Sequence, residues 1–400
     1  MTQATEILGA KPASHIRAIG AVSAAHLVSH YYILILAPLL PFVRADLGVS
    51  YTEIGVALAV FNIVTAALQA PAGFLVDRIG ARIPLIGGLL LGAGAFLVVG
   101  LTDSYWMLVA MFAIAGIGNA VYHPADYALL SHHVPPERIG PAFSFHTFAG
   151  MAGSALAPPT LLIMQSVWGW HGAFVGASIL GFVVAAALIA IREHGEGRAT
   201  PRTKPDGAAA GWRLLLTPAI LLNLVFFVLL AIISGGIYNY SVAALGVLYA
   251  TPVTTANAAL TAYLALSSIG VLAGGLLVTR TTRHGMVAGL GLFALALFTA
   301  LVGEVDLGSF MLIAAMTAAG FVSGVIMPSR DMIVRAITPP GSFGKVFGFV
   351  TTGFNIGGIV SPLIFGAIMD HGSPHLVFLL VAAFSLIAIV TVVTRPGRAG

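Results

Sequence analysis

The sequence predicts an all-α membrane protein with twelve transmembrane helices in two pseudo-symmetric six-helix bundles. Three observations predict it. The 400-residue chain is 58% hydrophobic and only 8% charged, with a mean hydropathy of +1.00, whereas a soluble domain carries about 25% charged residues. Apolar runs of about 20 residues, each long enough to cross a bilayer as a helix, follow one another along the chain. Helices satisfy their own backbone where lipid offers no partner. Finally, a polar-marked stretch of the first half recurs in the second half at constant spacing.

The expected spans lie at roughly 17–43, 52–76, 84–101, 105–131, 139–164, 172–191, 214–245, 254–278, 285–302, 309–334, 342–368 and 374–394. Pro218 marks an expected break near the start of the long seventh span. The first sixteen residues are mostly polar or small, and the apolar run after them is too long for a signal-peptide core, so no cleavable leader is expected. Residues 192–212 are charged, rich in Pro and Gly, and without apolar period. They read as a flexible cytoplasmic linker between bundles at 1–191 and 213–400.

Positive charge orients the spans. With the N-terminus in the cytoplasm, sixteen of the 18 Lys and Arg fall in cytoplasmic segments; Arg44 falls opposite and Arg330 lies within a span. This implies a multi-pass protein of the inner (cytoplasmic) membrane with both termini cytoplasmic. The same distribution explains the pI near 9.5 and excludes the clustered basic face of a nucleic-acid binder. The chain has no cysteine, which excludes disulfides, thiolate nucleophiles and Cys-bound metal.

The repeat pairs GIGNAVYHPADYALLSHHVPPERIGPAFSFHTFAGMAGSALAPP with GFVSGVIMPSRDMIVRAITPPGSFGKVFGFVTTGFNIGGIVSPL. Pro124 aligns with Pro328, Pro135 with Pro339, Gly140 with Gly344, Gly153 with Gly357 and Pro158 with Pro362, each pair 204 positions apart without a gap. Parallel repeats of this kind build transporters whose halves rock about a midplane site.

Residues 73–82, GFLVDRIGAR, resemble the signature loop of the major facilitator superfamily, with Gly73, Asp77, Arg78, Gly80 and Arg82 at the matching positions. The resemblance implies that fold, a monomer, and a cytoplasmic gate in which Asp77 meets the start of the eleventh helix near residues 342–344. Gly73 would let another helix approach closely; Arg78 and Arg82 also serve plainly as topology charges. The second half has VTRTTRHG there and lacks the Asp. The His123-Pro124 pair followed by an acid resembles the fosmidomycin-resistance group of efflux proteins. AGMAGSALAPP, residues 149–159, loosely resembles the Gly-Pro pattern of family antiporters, although small residues there have an equal packing explanation. Phe112 stands where many family exporters carry an Arg before GxG, so a coupling scheme using that Arg does not transfer.

Ionisable groups within spans are costly and mark cavities or relays. Here they are His26, His30, His123, Asp126, His146, Arg330, Asp331 and, at a span end where it can snorkel, Arg335. At a rise of about 1.5 Å per residue, His30 is near mid-span. His123 and His146 lie about 7–8 Å, and Asp126 and Arg330 about 12 Å, to the cytoplasmic side of their span centres. Asp126 and Arg330 are level, repeat-related and opposite in charge, which suggests a gate pair; Asp331 is the alternative partner for Arg330. His123 shares a helical face with Asp126, and Pro124 between them can kink the helix. A His–Asp site whose Arg partner comes and goes could take up and release protons; structural hydrogen bonding is the plainer alternative. His26 and His30 have metal-binding i, i+4 spacing. The potential ligands fall at different depths, however, and no acidic cluster accompanies them, so no metal is expected.

The candidate substrate-binding and proton-coupling residues are His30, Tyr31, Asn119, His123, Asp126, Tyr127, His146, Arg330, Asp331 and Asn355. Asn62, Gln69, Asn239, Tyr240 and Tyr263 are further polar positions, each as readily helix glue. There is no P-loop, HExxH or nucleophile–base pattern, so neither an enzyme nor an ATP-driven pump is expected, and no cofactor. The expectation is a secondary active transporter of alternating access whose partners are protons, lipid and a small-molecule substrate. Proton-coupled export of a small organic, anionic or drug-like molecule comes first. Proton-coupled import or exchange of an organic anion is second, and metal-ion transport third.

Overall fold

The computed structural model describes residues 12–135, 138–191, 212–339 and 342–393; most of the expected linker, 192–212, and both chain ends lie outside them. The described residues form thirteen α-helices. Ten helical stretches are long and apolar enough to cross a membrane. One of these, α7, carries two of the expected spans.

The departures from regular spans have local causes. The expected first span is α1 (Pro12–Ile33) and α2 (Leu40–Leu47), separated by a non-helical stretch at 34–39. α3 is Tyr51–Ile79 and α4 is Arg82–Val99. The expected fourth span is one helical stretch, Tyr105–His133, made of α5 (Tyr105–Asn119) and α6 (Tyr122–His133) with helical dihedrals at the two residues between them. The fifth and sixth are two helices that meet at Gly169 and are labelled together as α7 (Ile139–Ala190); the φ of 69° at Gly169 is open to glycine and strained for other residues. The seventh breaks near its start at Pro218, as expected: Trp212–Leu216 is a 3-10 turn, Thr217 is extended, and α8 (Pro218–Tyr249) begins at the proline, where a missing N–H costs nothing. α9 (Val253–Val278), α10 (His284–Glu304), α11 (Gly308–Ile337), α12 (Phe343–Asp370) and α13 (His375–Val393) complete the fold.

Contacts divide the chain into two compact units. One comprises 1–35, 64–157 and 164–202; the other comprises 36–63, 158–163 and 203–400. In the first, Phe96 packs against Tyr32, Phe112 and Phe174 at centroid distances of 4.8, 5.6 and 5.9 Å. Phe112 is thus a core residue. In the second, the Tyr240 hydroxyl donates to the Pro362 carbonyl at 2.7 Å, tying α8 to α12. The Asp370 carboxylate accepts from the Tyr51 and Thr52 amides at 2.7 and 2.8 Å. It thereby caps the start of α3, where free N–H groups and the helix dipole favour an anion. Large apolar side chains such as Phe74, Trp106 and Phe310 stand exposed, as lipid-facing residues do.

The repeat also appears in the packing. A Cβ at Gly153 of α7 would collide with the Leu27 backbone of α1. A Cβ at its repeat partner Gly357, on α12, would lie 2.6 Å from the Val228 carbonyl oxygen of α8. In each unit a glycine at the equivalent position brings two helix backbones together.

Candidate functional site

The signature loop is built as a turn and a cap. Gly80 has a φ of 88°, which favours glycine. Arg82 donates to the carbonyls of Leu188 and Ile191 at 2.8 Å each, closing the C-terminal end of α7; it does more than mark topology. Asp77 and Arg78 are exposed. A Cβ on Gly73 would meet nothing within 4 Å, so the close helix approach expected there is absent among the described residues. The expected contact of Asp77 falls on 342–344, and the Phe343 side chain is not among the described ones.

The polar cluster of the first unit is assembled from three helices. α1 carries His26 and His30 on one face, one turn apart. α6 begins at Tyr122, so Pro124 sits in its first turn. Residues 120 and 121 between α5 and α6 keep right-handed helical dihedrals, and Tyr105–His133 is one helical stretch of span length. Pro124 has no N–H to donate, so it interrupts the hydrogen-bond ladder inside that stretch, as the expected kink requires. Its repeat partner Pro328 lies inside the unbroken α11. α7 supplies His146 and, one turn on, Gly150, where a Cβ would lie 2.6 Å from the His26 ring and 2.9 Å from that of His30. The small residues of 149–159 therefore seat the α1 histidines against α7.

The result is four imidazoles around one carboxylate. Asp126 is fully buried, and His26 and His146 nearly so. Asp126 Oδ2 lies 3.2 Å from His26 Nδ1 and 3.6 Å from His146 Nε2. The His26 and His146 rings stack at 3.8 Å. His30 meets the His26 ring edge-on at 4.6 Å, and His123 lies 5.4 Å from it. Neither Asp126 oxygen, nor His26 Nδ1, nor either nitrogen of His146 makes a hydrogen bond within the described residues. His30 Nδ1 is 3.3 Å from Ser154 Oγ. His123 and Tyr127 are exposed, 6.1 Å apart between centroids.

The depth estimate from sequence separated His146 from Asp126, and the structure brings them together. Span centres mislead here because Pro124 interrupts the helical ladder of the fourth span and the fifth continues beyond its expected end. His26, absent from the candidate set, is the central ring. Its i, i+4 spacing to His30 was the available signal; its contact with α6 was not readable.

The remaining candidates separate. Tyr31 is buried in the first unit. Asn119 donates to Thr65 Oγ1 at 3.4 Å, and Thr65 donates to the Gly116 carbonyl at 3.1 Å, joining α3 to α5. In the second unit Arg330 Nε donates to Asp331 Oδ1 at 2.9 Å, and the terminal nitrogen lies 2.8 Å from the same oxygen. The guanidinium carbon of Arg330 sits 4.9 Å from the Phe227 ring centroid and 5.2 Å from that of Phe354. Arg330 is 11% exposed and Asp331 45%. Asn355 follows Phe354 on α12 and is half-buried. Within its own unit Asp126 lies beside His26 and His146, and Arg330 pairs with Asp331, the alternative partner expected for it.

Many apolar helices enclosing ionisable groups within the membrane are the architecture of a secondary transporter. The chain matches the Major Facilitator Superfamily over residues 22–252 and 224–399 and belongs to that family; it is a transporter and not an enzyme. It is 23% identical over 390 residues to the fosmidomycin resistance protein of Escherichia coli (strain K12), covering 95% of this chain and 93% of that one. It is 26% identical over 380 residues to the probable sulfoacetate transporter SauU of Cupriavidus necator, covering 86% and 85%. In fold it is similar to a bacterial homologue of the human lysosomal transporter Spinster, with a TM-score of 0.79 at 16% identity over 97% of this chain and 100% of that one.

Proposed function

We propose that this transporter couples proton movement to the export of a small organic anion. The observation that carries the reading is the fully buried Asp126, flanked by two imidazoles and hydrogen-bonded to none of the described residues. A buried carboxylate without hydrogen bonds is costly for a merely structural role. It is suited to a group that takes up and gives up a proton in each cycle, with His123 and Tyr127 as the route to solvent. Relatives named for fosmidomycin resistance and, as probable, for sulfoacetate transport support an anionic organic substrate. In this reading the two repeat-related bundles, 1–191 and 213–400, alternate about the site as a monomer in the inner membrane, with both termini cytoplasmic. The test is transport in proteoliposomes of one orientation, with phosphonates and carboxylates as substrates. Saturable uphill movement driven by an imposed pH gradient, opposite to the proton flow and abolished by a protonophore, is expected. Movement that follows only the substrate's own gradient contradicts the reading.

Arg330 favours a second reading for the direction of travel, import or exchange of the same anion. Asp331 occupies two of its nitrogens and is itself half exposed, so the other guanidinium donors can receive a carboxylate or phosphonate. Charge-assisted hydrogen bonds contribute about 1.5–3 kcal/mol each. Arg330→Gln is therefore expected to weaken anion binding by about 10-fold to 100-fold in calorimetry and to leave neutral drug-like ligands unaffected. Equal losses for both classes would remove Arg330 from anion recognition.

A further inference from the structure

We propose that His26, Asp126 and His146 form a binding site for one divalent transition-metal ion. Their ligand atoms, Nδ1 of His26, Nε2 of His146 and a carboxylate oxygen of Asp126, all lie within 4.8 Å of one another. Metal–ligand arms of about 2.0–2.1 Å in a tetrahedral site place neighbouring ligand atoms about 3.3 Å apart. The observed separations from Asp126 Oδ2 are 3.2 and 3.6 Å. At these distances a hydrogen-bonded His–Asp pair would be the ordinary alternative, but none of the three side chains meets hydrogen-bond geometry through these atoms. Two nitrogens and an oxygen gathered within 4.8 Å, without hydrogen bonds to one another, leave their lone pairs available to a shared cation.

The donor set selects the ion. Imidazole nitrogens with one carboxylate oxygen suit zinc, cobalt or nickel, whereas magnesium and calcium take oxygen ligands. The three side chains leave a fourth position for water or another ligand. The rings are held in place by their surroundings: Gly150 admits His26 against α7, and His26 stacks on His146. His123, 5.4 Å from His26, is the exposed member of the cluster. The inference uses the same cluster as the proton reading but does not depend on coupling, since an ion and a proton are alternative occupants of one carboxylate.

The test uses full-length protein in detergent, with affinity tags removed and metal stripped by chelator. Co2+ is titrated by visible absorption and Zn2+ by calorimetry. One ion per chain is expected in wild type. His26→Ala and His146→Ala should each weaken it by more than about 100-fold, a larger loss than substitutions outside the ligand set cause. A His132→Ala/His133→Ala double variant, altering the neighbouring histidine pair at the end of α6, should bind as wild type does. Size-exclusion profiles check folding, and Asp126→Asn replaces any variant that fails. No binding in wild type, binding that survives loss of His26 and His146, or binding lost only with His132 and His133 would each overturn the site. Proton coupling is measured separately with chelator present, so either idea can fail alone.

Discussion

Asp126→Asn is expected to abolish uphill transport and leave downhill flux and substrate binding in place. Asparagine is close in size to a protonated aspartate and carries no charge, so the packing against His26 and His146 is kept. It has no carboxyl proton to give up, so the step that joins substrate movement to proton movement is missing. With one proton exchanged per substrate and no membrane potential, each unit of pH gradient is worth about 1.4 kcal/mol, or about a tenfold concentration ratio. The variant should bring that ratio to about one in vesicles of fixed pH difference. Retention of a tenfold ratio would mean that another group carries the proton.

Gly153→Ala and Gly94→Ala should move stability in opposite directions. At Gly153 the added methyl runs into the Leu27 backbone, which cannot rotate away as a side chain would. Relief requires α1 and α7 to separate, and overpacking of this kind costs about 1–3 kcal/mol. The same separation would displace His26 and His30, which rest on α7 beside Gly150. At Gly94 of α4 an added Cβ meets nothing within 4 Å. There the helix preference for Ala over Gly, about 1 kcal/mol, acts alone and stabilises. Thermal unfolding of the two purified variants should give a lower midpoint for Gly153→Ala and an equal or higher one for Gly94→Ala. Equal shifts would show that α1 and α7 are not in tight contact at Gly153.

The helical membrane fold was readable because lipid leaves few alternatives to long apolar helices, and the Pro and Gly repeat exposed the internal duplication. The non-helical stretch at 34–39, where Pro38 stands, and the interruption at Pro124 were not carried into the span centres. That hid the true level of His146 relative to Asp126, since depth was counted along unbroken spans. Asp126 and its four histidines stood out individually as costly residues. Which of them touch depended on α1, α6 and α7 meeting, a tertiary fact set partly by Gly150 and Gly153. The Arg330–Asp331 pair illustrates the same limit. Adjacent residues on a helix do not normally face each other, so Asp331, weighed as the alternative partner of Arg330, ranked behind a partner across the repeat, yet it is the carboxylate that Arg330 touches within its unit.

Proton release on substrate addition tests the coupling claim most directly. Purified wild-type protein in weakly buffered detergent with chelator present is mixed with phosphonates, carboxylates and neutral drugs, and binding is followed independently by calorimetry. Release triggered by an anionic substrate in wild type, and absent in Asp126→Asn while binding persists, is the predicted result. Binding without release from wild type at several pH values would contradict proton antiport and leave uniport, exchange or symport.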